Sequence, residues 1–338
     1  RAKATVFRTA YTSINLTSEN YIGMSSGVTY ADGSNATVNI IGNIAVVPER
    51  RYDLNSASYD NKSFSFASQE NTPMGITFNG DGTKVYVVGS TGSRIYQYSL
   101  STAYDISTAS YNNVNFDVSG QGTPRGVRFN NDGTKVYIVE SSNDKVHQYS
   151  LSTAYNVSTA SYNNVDFSVS QDAAPYALAF NSAGTKMYIS GIVTDTIYQY
   201  SLSSAFNVST ASYNNVNLDV SGQDGSASEI VFNSDGTKMF ILGSANNTVL
   251  QYSLSTGFDL STASYDNTSF SPASQETGAT SLAFNNDGTK MYIAGQPNDT
   301  LFQYSTEFTL TAGQQYFVQG NGTIGTTADS PSVLAGTA

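Results

Sequence analysis

One phrase recurs five times through the chain, and the recurrence limits the fold more than any other feature. The copies span 52–103, 104–154, 155–205, 206–257 and 258–305, a period of 51 or 52 residues. In the second copy the shared parts read STASYNNVNFDVS, GVRFNNDGTKVYIV and KVHQYSLSTA. Each copy holds four short β-like segments, drawn in the second at 114–119, 126–130, 135–140 and 145–150. The Asn-Asp-Gly-Thr step at 131–134 is a hairpin turn in which Gly133 supplies the positive φ. No helical period of useful length interrupts the pattern. A unit of about 50 residues with four strands is a propeller blade. The expectation is an all-β fold with a five-bladed β-propeller.

The order of segments predicts how the ring closes. A lone strand at 63–67 opens the first copy, and the last copy ends at 301–304 with no repeat strand behind it. Blade five, built from 282–304, is expected to take the N-terminal strand as its outer edge, which leaves no open edge to aggregate. Arg51 and Thr306 then lie together. The propeller is placed at 52–305. Residues 1–51 and 306–338 are expected to form one small discontinuous β domain interrupted by it, with strands at 37–41 and 315–319 and a hairpin signal at Asn321-Gly322.

The run PRGVRFNNDGTKVYIVESSNDKVHQYSLST, 124–153, resembles the YVTN/lactonase-like propeller repeats, and the resemblance extends over 52–305. The flanks, LTSENYIGMSSGVTYADGSNATVNIIGNIA and LTAGQQYFVQGNGTIGTTADSPSVLAGTA, look instead like modules of tailed-phage fibre and structural proteins of the marine type. That second resemblance implies a virion-surface, extracellular setting, other virion proteins as partners and, by family analogy, a trimer.

Charge and composition remove several function classes. Lys and Arg total 15 against 26 Asp and Glu, a net charge of −11, with no Cys and one His. An acidic chain without a basic cluster is unsuited to phosphate backbones, and no apolar run reaches the roughly 18 residues of a membrane span. Neither nucleic acid nor membrane insertion is therefore expected. His147 takes the slot of Tyr96, Tyr198, Leu250 and Phe302 and reads as packing. Asp81, Asp132, Asp235 and Asp287 stand beside a turn Gly, while copy three has Ala183; they read as turn residues. The recurring Lys84, Lys135, Lys186, Lys238 and Lys290 are expected to keep their heads in water. Gln97 and its four counterparts are expected to bond between blades. No catalytic residue, metal or cofactor is predicted, and the chain is read as a non-enzyme.

The copies disagree in two loop sets, one joining the outer strand to the next blade and one joining the last two strands of a copy. In an up-and-down sheet both emerge on one face, opposite the constant Asn-x-Asp-Gly turns. Met74, Arg125, Tyr176, Ser228 and Thr280 from the first set, with Asp144, Asp195, Asn247 and Asp299 from the second, are the predicted ligand contacts. A sparsely charged surface of amides, hydroxyls and aromatic rings suits sugars. The expectation is a fibre segment displaying a propeller for non-catalytic binding of host-surface glycan. A capsid-decorating spacer without ligand, a secreted adhesin or lectin, and a lactonase or glycan hydrolase are the rivals.

Overall fold

The computed structural model of the chain describes residues 51–307 and, nearer the C-terminus, 315–318, 324–325 and 333–337. The first strand, β1 (Ser58–Ser65), stands alone in the sequence. Blade one follows as β2 (Pro73–Phe78), β3 (Lys84–Gly89), β4 (Arg94–Leu100) and β5 (Ala109–Asp117). Blade two is β6 (Pro124–Phe129), β7 (Lys135–Glu140), β8 (Lys145–Leu151) and β9 (Ala160–Ser168). Blade three is β10 (Pro175–Phe180), β11 (Lys186–Gly191), β12 (Thr196–Leu202) and β13 (Ala211–Asp219). Blade four is β14 (Ala227–Phe232), β15 (Lys238–Gly243), β16 (Thr248–Leu254) and β17 (Ala263–Phe270). β18 (Ala279–Phe284), β19 (Lys290–Gly295) and β20 (Thr300–Ser305) complete blade five with β1 as its outer strand.

All five blades are thus four-stranded and antiparallel, and each outer strand comes from the next copy of the repeat. The inner strands β2, β6, β10, β14 and β18 touch in that order and return from β18 to β2, which makes the ring. Closure is as expected: Ser63 lies opposite Phe302 and Phe64 opposite Leu301. Phe66, wholly buried just past β1, packs among residues of blades one and five.

The outer strands run longer than the pattern suggested. In copy two the strand begins at Ala109 and not at 114, because Asn113 adopts φ 60° and makes a bulge. Tyr98 pairs with Tyr111 while Gln97 pairs with Val114, so the ladder continues past a break that masks its alternation. The lone first strand likewise starts at Ser58 and ends at Ser65, not 63–67.

Between blades lie apolar layers such as Tyr86, Val88, Val127, Val136 and Ile138, each fully buried side chain contributing roughly 1.5–3 kcal/mol. Buried tyrosines need a partner for the hydroxyl, and Tyr86, Tyr137, Tyr188 and Tyr292 each have a backbone carbonyl. The first aromatic of each copy, as in Tyr155 and Phe206, sits in the left-handed region and covers the turn glycine of the preceding copy. Its carbonyl accepts from the preceding blade: Tyr86 Oη and Lys84 Nζ reach Tyr155 O at 2.6 and 3.2 Å. Tyr137 and Lys135 repeat this at Phe206 O, and Tyr188 and Lys186 at Phe258 O. These lysine heads therefore do not reach into water as expected, since a carbonyl orphaned by the left-handed turn draws them in. Gln97 Oε1 accepts the Val157 N–H at 3.2 Å, and Gln148, Gln199 and Gln303 do the same between other blades, as expected.

The chain divides into two compact units, Arg51–Glu307 being the propeller. In the other, β21 (Gln315–Val318) pairs with β22 (Ile324–Gly325) and β23 (Val333–Thr337), all antiparallel. The strand expected at 37–41 lies outside the described residues.

Candidate functional site

Around the ring, the second residue of each inner strand is Met74, Arg125, Tyr176, Ser228 or Thr280, and these five surround the channel mouth on the divergent face. The structure brings three of them into one cluster. Arg125 Nη1 and Tyr176 Oη lie 3.5 and 3.1 Å from Met74 Sδ, and the guanidinium sits 5.3 Å from the Tyr176 ring centre. Burial pushes the Tyr176 hydroxyl pKa up, with Arg125 pulling part of it back. Thr280 Oγ1 donates to Pro73 O at 2.8 Å, whereas Ser228 turns to Leu242 O of its own blade. Met74, Tyr176, Ser228 and Thr280 are buried, so the five plug the mouth and do not line an open cleft.

Asp144, Asp195, Asn247 and Asp299 do not join that cluster. Each occupies the left-handed position of the hairpin between the second and third strands of its blade, with φ of 54, 51, 52 and 48°. Asx residues tolerate that conformation better than most. The carbonyls of Asp144, Asp195 and Asp299 accept from Val169, Val220 and Phe66 N–H, which ties down the end of the outer strand of the same blade. Burial raises the carboxyl pKa of all three. Asn247, the amide in the series, instead donates to Glu276 O and accepts from Ala279 N–H.

A second set of acids on this face holds the loops. Glu70 accepts from Thr72 and Gly92 N–H, Asp172 from Ala174 and Thr194, and Asp224 from Ser226 and Asn246. Beneath each lies a strand-end glycine, Gly89, Gly191 or Gly243, where a Cβ would collide with the carboxylate. Blade two inverts the arrangement. Its strand ends on Glu140, which accepts from Ser142 and Asn143 N–H, and the space is returned at Gly122 in the loop. Glu140 Oε1 also lies 3.7 Å from Nε2 of His147, a buried ring whose Nδ1 is 3.2 Å from Tyr162 Oη. His147 packs inside the blade, as expected.

Deeper in the channel stand two residues the repeat comparison overlooked. Glu229 is the only acid on the five inner strands and is 1% exposed. Its Oε1 takes Arg128 Nη2 at 2.6 Å and Ile230 N–H at 3.0 Å, and its Oε2 takes Ser281 Oγ at 2.9 Å. Arg128 Nη1 donates to Ile76 O and Val127 O. Blades one, two, four and five meet in this one network. Burial raises the Glu229 carboxyl pKa and Arg128 opposes it; the 2.6 Å ion pair marks an ionised carboxylate. The signal was present: Arg128 stands where other copies have Thr77, Ala179, Val231 and Ala283, and Glu229 where they have Gly75, Gly126, Ala177 and Ser281.

On the other side of the pair, a cavity of about 520 Å³ opens between the Asn-x-Asp-Gly turns. Asn79, Tyr104, Arg128, Asn131, Tyr155 and Asn286 are among its lining residues. The turn aspartates are structural, as expected: Asp81, Asp132, Asp235 and Asp287 each accept from the N–H and hydroxyl of the Thr two residues on. No group of three or more His, Asp or Glu among the described residues is placed to hold a metal ion.

The family model described as "Lactonase, 7-bladed beta-propeller" matches residues 50–322. A search of curated proteins gives no match. Similar solved structures include a protein from Bacteroides uniformis described provisionally as a 6-phosphogluconolactonase, at 15% identity over 74% of this chain and 76% of that one, TM-score 0.43. One of the same description from Bacteroides fragilis shares 14% over 74% and 75%, TM-score 0.42. A functionally unknown protein from Desulfotomaculum acetoxidans shares 13% over 72% and 75%, TM-score 0.42.

Proposed function

Because the chain belongs to the seven-bladed lactonase propeller family, yet closes its ring with five blades around a carboxylate already engaged, we propose that it recognises a ligand without transforming it. A general base needs a lone pair within reach of substrate. Both oxygens of Glu229 are held by Arg128, Ile230 and Ser281, and the residue is shut from solvent. The proposed role is the display head of a phage fibre that binds host-surface glycan, with several copies per particle adding their weak affinities. The virion setting rests on the resemblance of the flanking sequences.

The observation that carries the reading is where the propeller begins and ends. Tyr52 N–H and Thr306 Oγ1 both donate to Gly288 O in the Asn-x-Asp-Gly turn of blade five, and Asp53 N–H donates to Thr306 O. The first and last residues of the propeller thus meet at the constant face, on the side of the ring opposite the divergent loops. Those loops expose Asn71, Asn143, Asn246 and Asn298, and also Val193, at 64% the one exposed large apolar side chain among the described residues. Amides with an apolar contact are the groups that hold a sugar ring.

The family match favours one rival, lactone hydrolysis. Incubation with gluconolactone and 6-phosphogluconolactone is expected to give no rate above buffer, and turnover of either would remove the non-catalytic reading. A glycan array should show binding that Asn143→Ala/Asn298→Ala abolishes. A blank array on protein that is demonstrably part of a particle would favour a spacer.

A further inference from the structure

The opposite mouth of the channel carries a site that the display reading does not use. We infer that the cavity between the Asn-x-Asp-Gly turns binds a neutral polyhydroxylated ligand of monosaccharide or disaccharide size. Its volume, about 520 Å³, falls within the range of roughly 300–1,000 Å³ usual for small-molecule sites. The wall combines the two surfaces a sugar needs. Phe78, Phe129 and Phe284, all half-buried, with Tyr104 and Tyr155, present ring faces and edges to the apolar side of a pyranose.

The amides are held in place before any ligand arrives. Asn131 Nδ2 donates to Ser182 O at 2.7 Å and Asn286 Nδ2 to Gly80 O at 2.5 Å, each bridging to the next turn around the ring. Both residues are exposed, and fixing the nitrogen orients the amide oxygen as an acceptor for a hydroxyl.

The wall offers no free cation to hold an anion. Arg128 on the cavity wall is neutralised by Glu229 at 2.6 Å, so it does not present a free positive charge. The same turns carry Asp81, Asp132, Asp235 and Asp287, whose carboxyl pKa values lie below the ordinary range; in the first three the Thr hydrogen bonds are the leading cause. These carboxylates and the Lys that follows each turn lie outside the cavity lining, where Arg128 is the one charged residue and is already paired, so a sugar acid or sugar phosphate finds no free cation on the wall and a neutral sugar meets rings and amides. Because the Arg128–Glu229 network lies between this cavity and the plugged divergent mouth, the inference stands independently of the display surface.

Saturation-transfer NMR on the whole chain tests it, with glucose, galactose, N-acetylglucosamine and lactose as neutral probes and gluconate as the anionic one. At least one neutral sugar should receive transfer at millimolar concentration, and gluconate should not. Asn131→Ala/Asn286→Ala should weaken that binding about tenfold, the loss of one or two hydrogen bonds. Asn143→Ala/Asn298→Ala on the divergent face should leave it unchanged. Should the first pair lower the melting temperature, Asn131→Trp, which fills the mouth from an exposed position, carries the same expectation. Transfer to none of the neutral sugars, preference for gluconate, or binding that survives both constant-face variants overturns the inference. Loss only with the divergent-face pair would move the sugar to the display surface and refute this site alone.

Discussion

Two sets of repeated aspartates, one on each face of the ring, are held in opposite ways. On the constant face, Asp81, Asp132, Asp235 and Asp287 have lowered pKa values, each helped by a Thr two residues along the same turn. On the divergent face, Asp144, Asp195 and Asp299 have raised pKa values because burial disfavours the charge and, for the first two, other acids stand nearby. The same residue type is stabilised as an anion in the one set and penalised in the other, while Asp117 and Asp219, at the divergent face but with a Ser two residues on, have lowered pKa values like the turn set. An acid whose partner lies two residues away brings its environment with it into every copy. One whose surroundings come from loops distant in the sequence depends on what those loops contribute, and there the copies diverge.

The ion pair at the centre is the largest point at which this contrast can be broken. Arg128→Ala leaves Glu229 buried without its cation, and losing one partner of such a pair costs on the order of 3–5 kcal/mol. Chemical denaturation should show that loss, and Arg128→Met/Glu229→Leu should recover much of it. A single-variant cost below about 1 kcal/mol would mean that the network does not tie the blades together.

Next in size is the exchange between glycine and acid in blade two. Glu140→Gly strips the Ser142 and Asn143 N–H groups of their acceptor and should cost about 1–3 kcal/mol. Gly89→Glu in blade one should destabilise as well, because its Cβ meets the Glu70 side chain, and Glu70→Gly in the same molecule should relieve part of the cost. A variant pair that simply adds would show the two positions to be independent.

How much of this was readable in the sequence follows from the same distinction. The hairpin turns, the four strands per blade and the closing strand were legible because Asn-x-Asp-Gly-Thr and the apolar alternation act over a few residues. Partnerships between blades were less so. The Lys84 head bonds to Tyr155 O, 71 residues away, and only the left-handed turn at Tyr155 explains why that carbonyl is vacant. Asp144 and Asp195 looked like recognition residues because they vary among Asp, Asn and Ser, yet what those types share is tolerance of a positive φ. Arg128 and Glu229 were visible as single charges at otherwise neutral repeat positions, but their meeting depends on the ring's closing. Where copies differ can be read from a sequence; whether the difference faces solvent or a neighbouring blade is set by packing.

A smaller effect comes from the one constant-face turn lacking its acid. Copy three has Ala183, and there Thr185 N–H is taken by Asn181 Oδ1 instead. Ala183→Asp should restore the arrangement of the other blades and add about 0.5–1.5 kcal/mol at neutral pH. The sign of its pH dependence follows from the lowered folded pKa of its counterparts. The gain is present above the unfolded value of roughly 3.9 and disappears as pH falls through the folded one. A melting temperature that rises equally at pH 7 and pH 3 would show that the carboxylate is not responsible.

The smallest expected change lies on the other face and runs the opposite way. Asp195 has a raised pKa in the folded chain, so the unfolded chain ionises first as pH rises and stability falls across that interval. Above it the penalty is constant, and below the unfolded pKa it is absent. Asn247 shows what relief looks like, since its amide reaches Glu276 O at 2.6 Å and accepts Ala279 N–H at 3.0 Å. Asp195→Asn can make the corresponding bonds toward blade four without a charge to bury. Its melting temperature should exceed that of the parent modestly at pH 7, with the advantage shrinking as the pH is lowered below about 4. If the variant instead loses stability at pH 7 and gains it in acid, the carboxylate is favoured where it stands, and the contrast between the two sets does not extend to blade three.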